Sequence, residues 1–588
     1  MSTSLGSSRE STGTRVMQAR SAAHGSGRAI AFIASACLTL LGQHSPEAAG
    51  QAKAAGQAGG KQALPAPKLV VQIVADQFRA DNLTRMGHLF VEGGLRKLTQ
   101  QGAFAIGRYG QQNTYTGPGH ALIATGSYGY SNGITQNKFW NKLTNKSESM
   151  LYDNTVSVLG EKELTAEDDS SPRNLVGSTV FDELKLAQRN AHVVAIALKA
   201  RGAILLGGHM GTAYFFSDVT GEMTTSTYYA KELPDWVKRW NSRKLADAAF
   251  NTKWERLLPA ASYPNPDDSP YEADLKGMGR TFPHTINGKL SAPGGSYYEA
   301  LTATPIGLDL EMDFVKAALD GEQLGKHEGT DVLAISISST DLSGHLYGPY
   351  SHEYQDIVLR ADRAIAALLA ELDKRYKPGE VMVMFTADHG ASPIPDELTQ
   401  RNMPAGRIKK PLIGEKITKA LTEHFGISGE WVIAMEDPSI YLSPKLVAQT
   451  KVDPAIVEDV AGRALLELPG VIGYVTRTQL QRGWLPPTDA SVAISRSYFQ
   501  PRGGDVLMVT APFYYWGKYG DKELGTSHGT FYRYDTDVPV AFYGPWFTPG
   551  EYGVIDQVDV AATLSHVLRL TPPAACAGHP VIQLLRPR

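Results

Sequence analysis

The chain has 588 residues, of which 42% are hydrophobic and 20% charged, with a formal net charge of −3 and a pI of about 6.6. That is material for one large core or two domains. The near-neutral balance argues against nucleic acid or an anionic membrane surface as the partner, so any recognition of an anion has to be local.

Arg9, Arg15, Arg20 and Arg28 precede an uncharged run at 29–41, followed by a tract of small residues. This is the pattern of a secretory signal, and the run is too short to span a bilayer comfortably. Residues 1–50 are therefore expected to be signal peptide and leader, with Met17 as an alternative start and cleavage between 43 and 60. The expected location is periplasmic or secreted. Ala34-Ser-Ala-Cys37 matches a lipoprotein box only weakly, so lipid anchoring is not the expected outcome. Removing residues 1–50 takes away four Arg, two Glu and Cys37, which leaves a net charge of −5 and Cys576 as the lone cysteine. No intramolecular disulfide is then possible.

Residues 51–67, rich in Ala, Gly, Gln and Pro, read as a flexible linker. The continuous apolar run at 68–75 (KLVVQIVA) fits a central parallel strand covered on both faces, and it ends at Asp76. In Asn113-Thr-Tyr-Thr116-Gly-Pro-Gly-His120, Gly117 and Pro118 break what precedes, and a helix to Thr125 can follow. Thr116 then lies where backbone N–H groups and the helix dipole favour an anion. Taken alone, it reads as the cap of a glycine turn. Residues 140–180 and 220–300 are polar and rich in Tyr, Trp, Pro and Asn, and read as surface insertions shaping a substrate mouth.

A strand is expected at 191–198, followed by Lys199-Ala-Arg201-Gly202. If that segment is extended, Lys199 and Arg201 share a face and can reach one phosphate. A helix opens at Thr304-Pro305 and runs to 319. The strand-like run 331–337 leads to Asp341 and His345, and the run 380–386 leads to Asp388-His389-Gly390. Between them, Ile357, Ala361, Ile365, Leu368 and Leu372 mark one face of a helix over 353–376, stopped by Pro378-Gly379. Three apolar runs thus deliver a carboxylate at their C-terminal ends, where open α/β sheets place their sites. The strand–helix–strand order implies an α/β fold with a doubly wound, mostly parallel central sheet flanked by helices. The expected catalytic core covers 68–400, and a smaller α+β insertion over 405–500 forms a cap. The chain then returns to the core over 501–588 through His528, a strand at 538–543 and a helix at 558–568.

A hydroxyl is a poor nucleophile at neutral pH unless a base or a metal removes its proton. Two adjacent divalent cations can clamp an in-line displacement at phosphorus, and imidazoles with carboxylates suit zinc. Asp341 and His345, four apart, lie on one side of a helical turn. Asp388 and His389 can converge only where the strand has ended. Each piece also has an ordinary reading: Asp76 as a turn acid, Asp341 with His345 as a surface pair, and Asp388-His389-Gly390 as a strand-end cap.

In order along 68–570, the chain resembles the alkaline phosphatase superfamily, specifically bacterial two-zinc phosphomonoesterases with a threonine nucleophile, related to type I phosphodiesterases and nucleotide pyrophosphatases. The resemblance is carried by Asp76-Gln77, Thr116-Gly-Pro-Gly-His120, Gly133-Ile134 with Asn137, Lys199-Ala-Arg201-Gly202, Asp341-x-x-x-His345, Ala387-Asp388-His389-Gly390 and Gly525-Thr-Ser-His528-Gly529. It implies two Zn2+ ions, one held by Asp76, Asp388 and His389 and bound also to the Thr116 oxygen, the other held by Asp341, His345 and His528. It further implies a phosphothreonine intermediate on Thr116, an Asn137 amide on a phosphoryl oxygen, and Lys199 with Arg201 favouring dianionic monoesters over diesters. The implied partners are small phosphate monoesters, and the implied state is a monomer or weak oligomer.

Two departures accompany the match. Asn132 stands where relatives often have His, and no Cys/Ser-x-Pro-x-Arg sequence occurs near Thr116, which counts against a sulfatase. His120, one turn beyond Thr116, is left out of the ligand set, and His209 and His352 read as ordinary polar contacts. Two other readings stay open: a phosphodiesterase or nucleotide pyrophosphatase on the same site, and a non-catalytic metal-binding surface protein.

Overall fold

The computed structural model describes residues 64–587, apart from 162, 163, 275 and 517–523. The expected signal sequence lies outside the described residues. Of the expected flexible linker, 64–67 is described and is tied down: Arg569 donates to the Leu64 carbonyl at 3.0 Å, Trp546 Nε1 to Pro65 at 2.9 Å and Thr330 Oγ1 to Pro67 at 2.6 Å.

The central strands are β1 (Leu69–Ala75), β2 (Ala103–Arg108), β3 (Val193–Ala197), β4 (Thr212–Ser217), β5 (Glu222–Thr224), β6 (Asp331–Ile337) and β7 (Val381–Thr386). An inserted sheet is built from β8 (Val432–Glu436), β9 (Ser439–Leu442), β10 (Val471–Thr476) and β11 (Val506–Thr510), and β12 (Asp537–Tyr543) and β13 (Gly550–Asp556) return to the main sheet. The helices that matter below are α1 (Thr116–Thr125), α2 (Ala200–Gly207), α3 (Pro305–Gly321), α4 (Ser339–Tyr347), α5 (His352–Arg375), α6 (Lys410–Phe425), α7 (Pro454–Leu465), α8 (Asp489–Arg496) and α9 (Asp559–Leu568).

The main sheet has nine strands in the order β13-β2-β12-β7-β1-β6-β3-β4-β5. From β7 to β4 all pairings are parallel. The continuous apolar runs have a direct cause, because both faces of these strands are covered. Leu69, Val71, Ile73 and Ala75 of β1 enter one core with Leu333, Ile335 and Phe385, whereas Val70 and Val74 enter the other with Val332, Met382 and Met384. Ile357, Ala361, Ile365, Leu368 and Leu372 of α5 close the first core, and Val560, Leu564 and Leu568 of α9 close the second. Each such side chain contributes about 1.5–3 kcal/mol by leaving water.

The fold class agrees with the sequence reading, with differences at both flanks: at one, β4 and β5 were not expected, and β5 pairs antiparallel with β4 from within the segment read as a surface insertion. At the other, the closing strand β12 runs antiparallel to both β7 and β2. The sheet also continues to β2 and β13, neither of which the sequence reading contained. In β2 only alternate residues are fully buried, and β13 is mostly exposed and bulged between Glu551 and Val554, so neither carries a continuous apolar run.

The inserted sheet, ordered β8-β9-β11-β10, packs Ile440 and Met508 against Ile413, Ile417 and Leu421 of α6 and Val457, Ala461 and Leu465 of α7. Its strand β11 lies past residue 500, so the inserted structure extends beyond the expected boundary. Among the described residues, no helix is long and apolar enough to cross a membrane.

Candidate active site

Four parallel strands end at one place, and the residues beyond them build the site. Asp76 follows β1 directly and donates its N–H to the Ile337 carbonyl of β6 at 3.0 Å. Asp341 lies in the first turn of α4 and His345 one turn later, so both face the same way as the spacing required. Thr340 Oγ1 donates to the Asp76 carbonyl at 2.6 Å, which locks the start of α4 to the end of β1. β7 stops at Thr386, which frees Asp388 and His389 to converge. Gly390 is required by close approach, since a Cβ there would lie 2.1 Å from the Tyr534 carbonyl oxygen.

Each of the three site histidines gives Nδ1 to a backbone carbonyl: His345 to Thr526 at 2.9 Å, His528 to Thr114 at 2.7 Å and His389 to Gly390 at 2.9 Å. A carbonyl can only accept, so Nδ1 carries a proton, and in the neutral ring Nε2 is the lone-pair side. His345 Nε2 is 3.2 Å from Asp341 Oδ1 and 3.2 Å from His528 Nε2. His389 Nε2 is 3.5 Å from Asp76 Oδ1 and 3.4 Å from Asp388 Oδ2. Lone pairs facing each other and facing carboxylates at these distances repel unless a cation joins them.

The electrostatics agree with that reading. Burial, then the charges of Asp341 and Asp388, push the Asp76 carboxyl well above the ordinary range. Burial, reinforced by His389, pulls His528 down to about 3, and burial also lowers His389. Asp76 Oδ1, Asp388 Oδ2 and His389 Nε2 are buried without a hydrogen-bond partner. Such atoms cost about 1–3 kcal/mol each, a cost that coordination would remove. The donor set therefore fits metal ions. Two groups have ligand atoms all within 4.8 Å of one another: Asp341, His345 and His528, and Asp76, Asp341 and His389. The second differs from the implied set, because Asp341 is common to both groups and Asp388 stands beside His389.

The remaining expected residues surround a cavity of about 650 Å³ lined by Thr116, Asn137, Lys199, Arg201, Asp341, His345 and His528, among others. Thr116 opens α1, as the glycine–proline pattern implied. Gly119 in the next position but two lets α1 reach Asp388, because a Cβ there would lie 2.3 Å from that residue's carbonyl oxygen. Asn137 Oδ1 accepts the Gly117 N–H at 2.8 Å, which fixes the side chain beside Thr116.

Lys199 and Arg201 are not on an extended segment. Lys199 caps α2 and Arg201 lies in its first turn, because β3 ends at Ala197. Both still line the cavity. Lys199 Nζ donates to Asp76 Oδ2 at 2.7 Å and also pairs with Asp341. Burial works against its charge, but Asp341 and Asp76 hold the ammonium above its ordinary range.

Two supporting residues, Gln77 and Asp169, escaped the sequence reading of roles. Gln77 stands at φ +62°, donates its N–H to Asp388 Oδ1 at 3.1 Å and its Nε2 to Asp341 Oδ1 at 2.8 Å. A left-handed glutamine is strained by about 1–3 kcal/mol, and the surrounding contacts hold it. Asp169, from a segment read only as insertion, accepts Arg201 Nε at 2.9 Å and Ser149 Oγ. His120 gives Nδ1 to the Thr116 carbonyl at 2.8 Å and meets Ser336 Oγ through Nε2, also at 2.8 Å, in keeping with its exclusion from the ligand set.

Comparison with known proteins follows the same lines. A family model described as type I phosphodiesterase / nucleotide pyrophosphatase matches residues 70–529. Alkaline phosphatase PafA of Elizabethkingia meningoseptica is 33% identical over 540 residues, covering 89% of this chain and 95% of that protein. Alkaline phosphatase PhoV of Synechococcus elongatus is 31% identical over 532 residues (89% and 94%), and a Myroides odoratus protein named calcium-transporting ATPase is 33% identical over 533 (88% and 94%). The crystal structure of wild-type PafA is similar at a TM-score of 0.82 and 31% identity, covering 89% of this chain and 100% of that one.

Gln77 can brace Asp341 only because residue 344 lacks a side chain: a Cβ there would come within 1.9 Å of Gln77 Oε1. Gly344→Ala is expected to weaken divalent-metal affinity about 10–100-fold, as loss of an outer hydrogen bond to a ligand does, with the far-UV circular dichroism unchanged. Competition with a chelator measures this. Parental affinity would contradict the role given to Gln77.

Proposed function

Because the chain belongs to the type I phosphodiesterase/nucleotide pyrophosphatase family, we propose that it is a metal-dependent phosphatase of the alkaline phosphatase type, hydrolysing small phosphate monoesters through a covalent phosphothreonine. The observation that carries this reading is the joint presence of Thr116, Asn137, Lys199 and Arg201 on one cavity with Asp341, His345 and His528. The alkaline phosphatases among its relatives, matched over most of both chains, support it.

Asp341, His345 and His528 would hold one metal, and Asp76 and His389, with Asp388 beside them, the other. Neutral imidazoles with carboxylates favour zinc for both. When bound, the ions would supply Lewis acidity for the displacement at phosphorus. The chain's own residues do the rest. The Thr116 oxygen bonds to phosphorus as the bond to the leaving alcohol breaks, giving up its proton to solvent while the alcohol takes one up. Water then attacks phosphorus and gives up a proton as the bond to Thr116 breaks, the Thr116 oxygen takes a proton back, and phosphate is freed. Asn137, held by the Gly117 N–H through Oδ1, presents its amide nitrogen to a phosphoryl oxygen.

Lys199 and Arg201 set the substrate class. A monoester dianion carries one more charge than a diester, so two added cations at the phosphoryl group reward it more. Asp169 occupies Arg201 Nε and thereby leaves the outer guanidinium nitrogens for the substrate. Residues 1–50 are read as an export signal, placing the enzyme in the periplasm or outside the cell. The second reading, a phosphodiesterase on the same site, is favoured by the description of the matching family model.

Thr116→Ala is expected to lower kcat/KM for an aryl phosphate monoester at least about 1,000-fold while metal stays bound, and parental turnover would remove Thr116 as the nucleophile. Lys199→Ala combined with Arg201→Ala is expected to lower monoester turnover about 100-fold or more and that of the methyl diester less than about tenfold. Equal losses, or a parental preference for the diester, would favour the phosphodiesterase.

A further inference from the structure

The insertion lines the cavity through Lys410, Glu436 and Asp437, and its returning end grips the loop that carries Asn137. That loop leaves α1 through a short turn at 129–133, in which Gly133 adopts φ +78°. Asn132 closes the turn by accepting the Ile134 N–H on Oδ1 at 2.9 Å. Thr135 then gives its carbonyl to Asn113 Nδ2 at 2.5 Å, and Gln136 donates Nε2 to Ser439 Oγ of β9 at 2.8 Å. Asn137 follows.

Arg502 lies just beyond α8, in the segment leading to β11. It donates Nη1 to the Gly133 carbonyl at 2.7 Å and to the Asn174 carbonyl at 2.9 Å, and Nη2 to Asn174 Oδ1 at 3.1 Å. Its guanidinium lies 5.6 Å from the Phe139 ring and 5.2 Å from the Phe499 ring. Among the described residues no carboxylate pairs with it, and burial draws its pKa down to about 10. A half-buried cation without a counter-ion costs stability that an apolar side chain of similar volume would not. What the arginine provides instead is direction: a planar fork reaches two backbone carbonyls and one side-chain oxygen at once. The fit is close, since a Cβ on Gly133 would come 2.8 Å from Arg502 Nη1.

We propose that Arg502 is a positioning residue: its guanidinium fixes the Gly133 turn and so sets where the Asn137 amide lies relative to Thr116. The proposal rests on the reading that Asn137 meets the phosphoryl group. It makes the insertion a structural partner of phosphate recognition rather than a lid alone.

A double-mutant cycle on the full-length, metal-loaded enzyme tests it, with kcat/KM for an aryl phosphate monoester as the readout. Arg502→Met, which keeps the apolar stem, is expected to lower kcat/KM about tenfold by shifting Asn137. In an Asn137→Ala background the same change is expected to cost less than about twofold, because the residue it positions has gone. Losses that multiply would overturn the proposal and leave Arg502 a general stabilising role. An impaired Asn137→Ala enzyme beside an unaffected Arg502→Met enzyme would overturn Arg502 alone. A fully active Asn137→Ala enzyme would overturn the reading of Asn137 and this proposal together. Should Arg502→Met not fold, Arg502→Lys, which keeps the charge and a donor, carries the same cycle with the same outcomes.

Discussion

The structure depends on concentrating buried negative charge at one point. Asp76, Asp341 and Asp388 are all 2% exposed or less, and the one ammonium that reaches this point among the described residues, Lys199, is shared between the first two. Unpaired carboxylates in an interior are costly, and hydrogen bonds from Gln77 offset only part of that. Burial keeps the His389 and His528 imidazoles neutral, so these two add no positive charge of their own. Metal cations would complete such a site, and Asp341, common to both candidate ligand groups, would join them.

The fold serves that concentration. A parallel sheet covered on both faces brings four strand ends side by side without exposing backbone, and sequence-distant residues then meet within a few ångströms. The glycines of the site have their cause here rather than in turn-making. Gly119, Gly344 and Gly390 each stand where a Cβ would collide with Asp388, Gln77 or Tyr534. Crowding of this kind holds these side chains in place, and preorganisation of that sort is what a phosphoryl-transfer site requires.

Sequence alone made much of this legible, for identifiable reasons. Strands buried on both faces print continuous apolar runs, so β1, β6 and β7 and the acids beyond them could be read directly. The helical spacing of Asp341 and His345 and the long apolar stripe of α5 were equally plain. β2 was not, because it buries alternate residues and sits among polar turns, and β13 is too exposed to carry a pattern. The Lys199–Arg201 pair was found, but its backbone was misjudged: β3 stops one residue sooner than its apolar run suggests, and α2 begins at Ala200 with Lys199 as its cap. Asp169 and Arg502 act through partners more than 30 residues away in sequence, and a left-handed Gln77 violates the usual preference of its residue type. No local signal marks any of these three.

The central claim is that two cations occupy one pocket, joined by Asp341. Anomalous diffraction at the zinc edge from crystals of the zinc-loaded protein tests it most directly. The account predicts two strong peaks, one bounded by Asp341, His345 and His528 and the other by Asp76 and His389 with Asp388 beside them. A single peak, or zinc bound away from these residues, would contradict it.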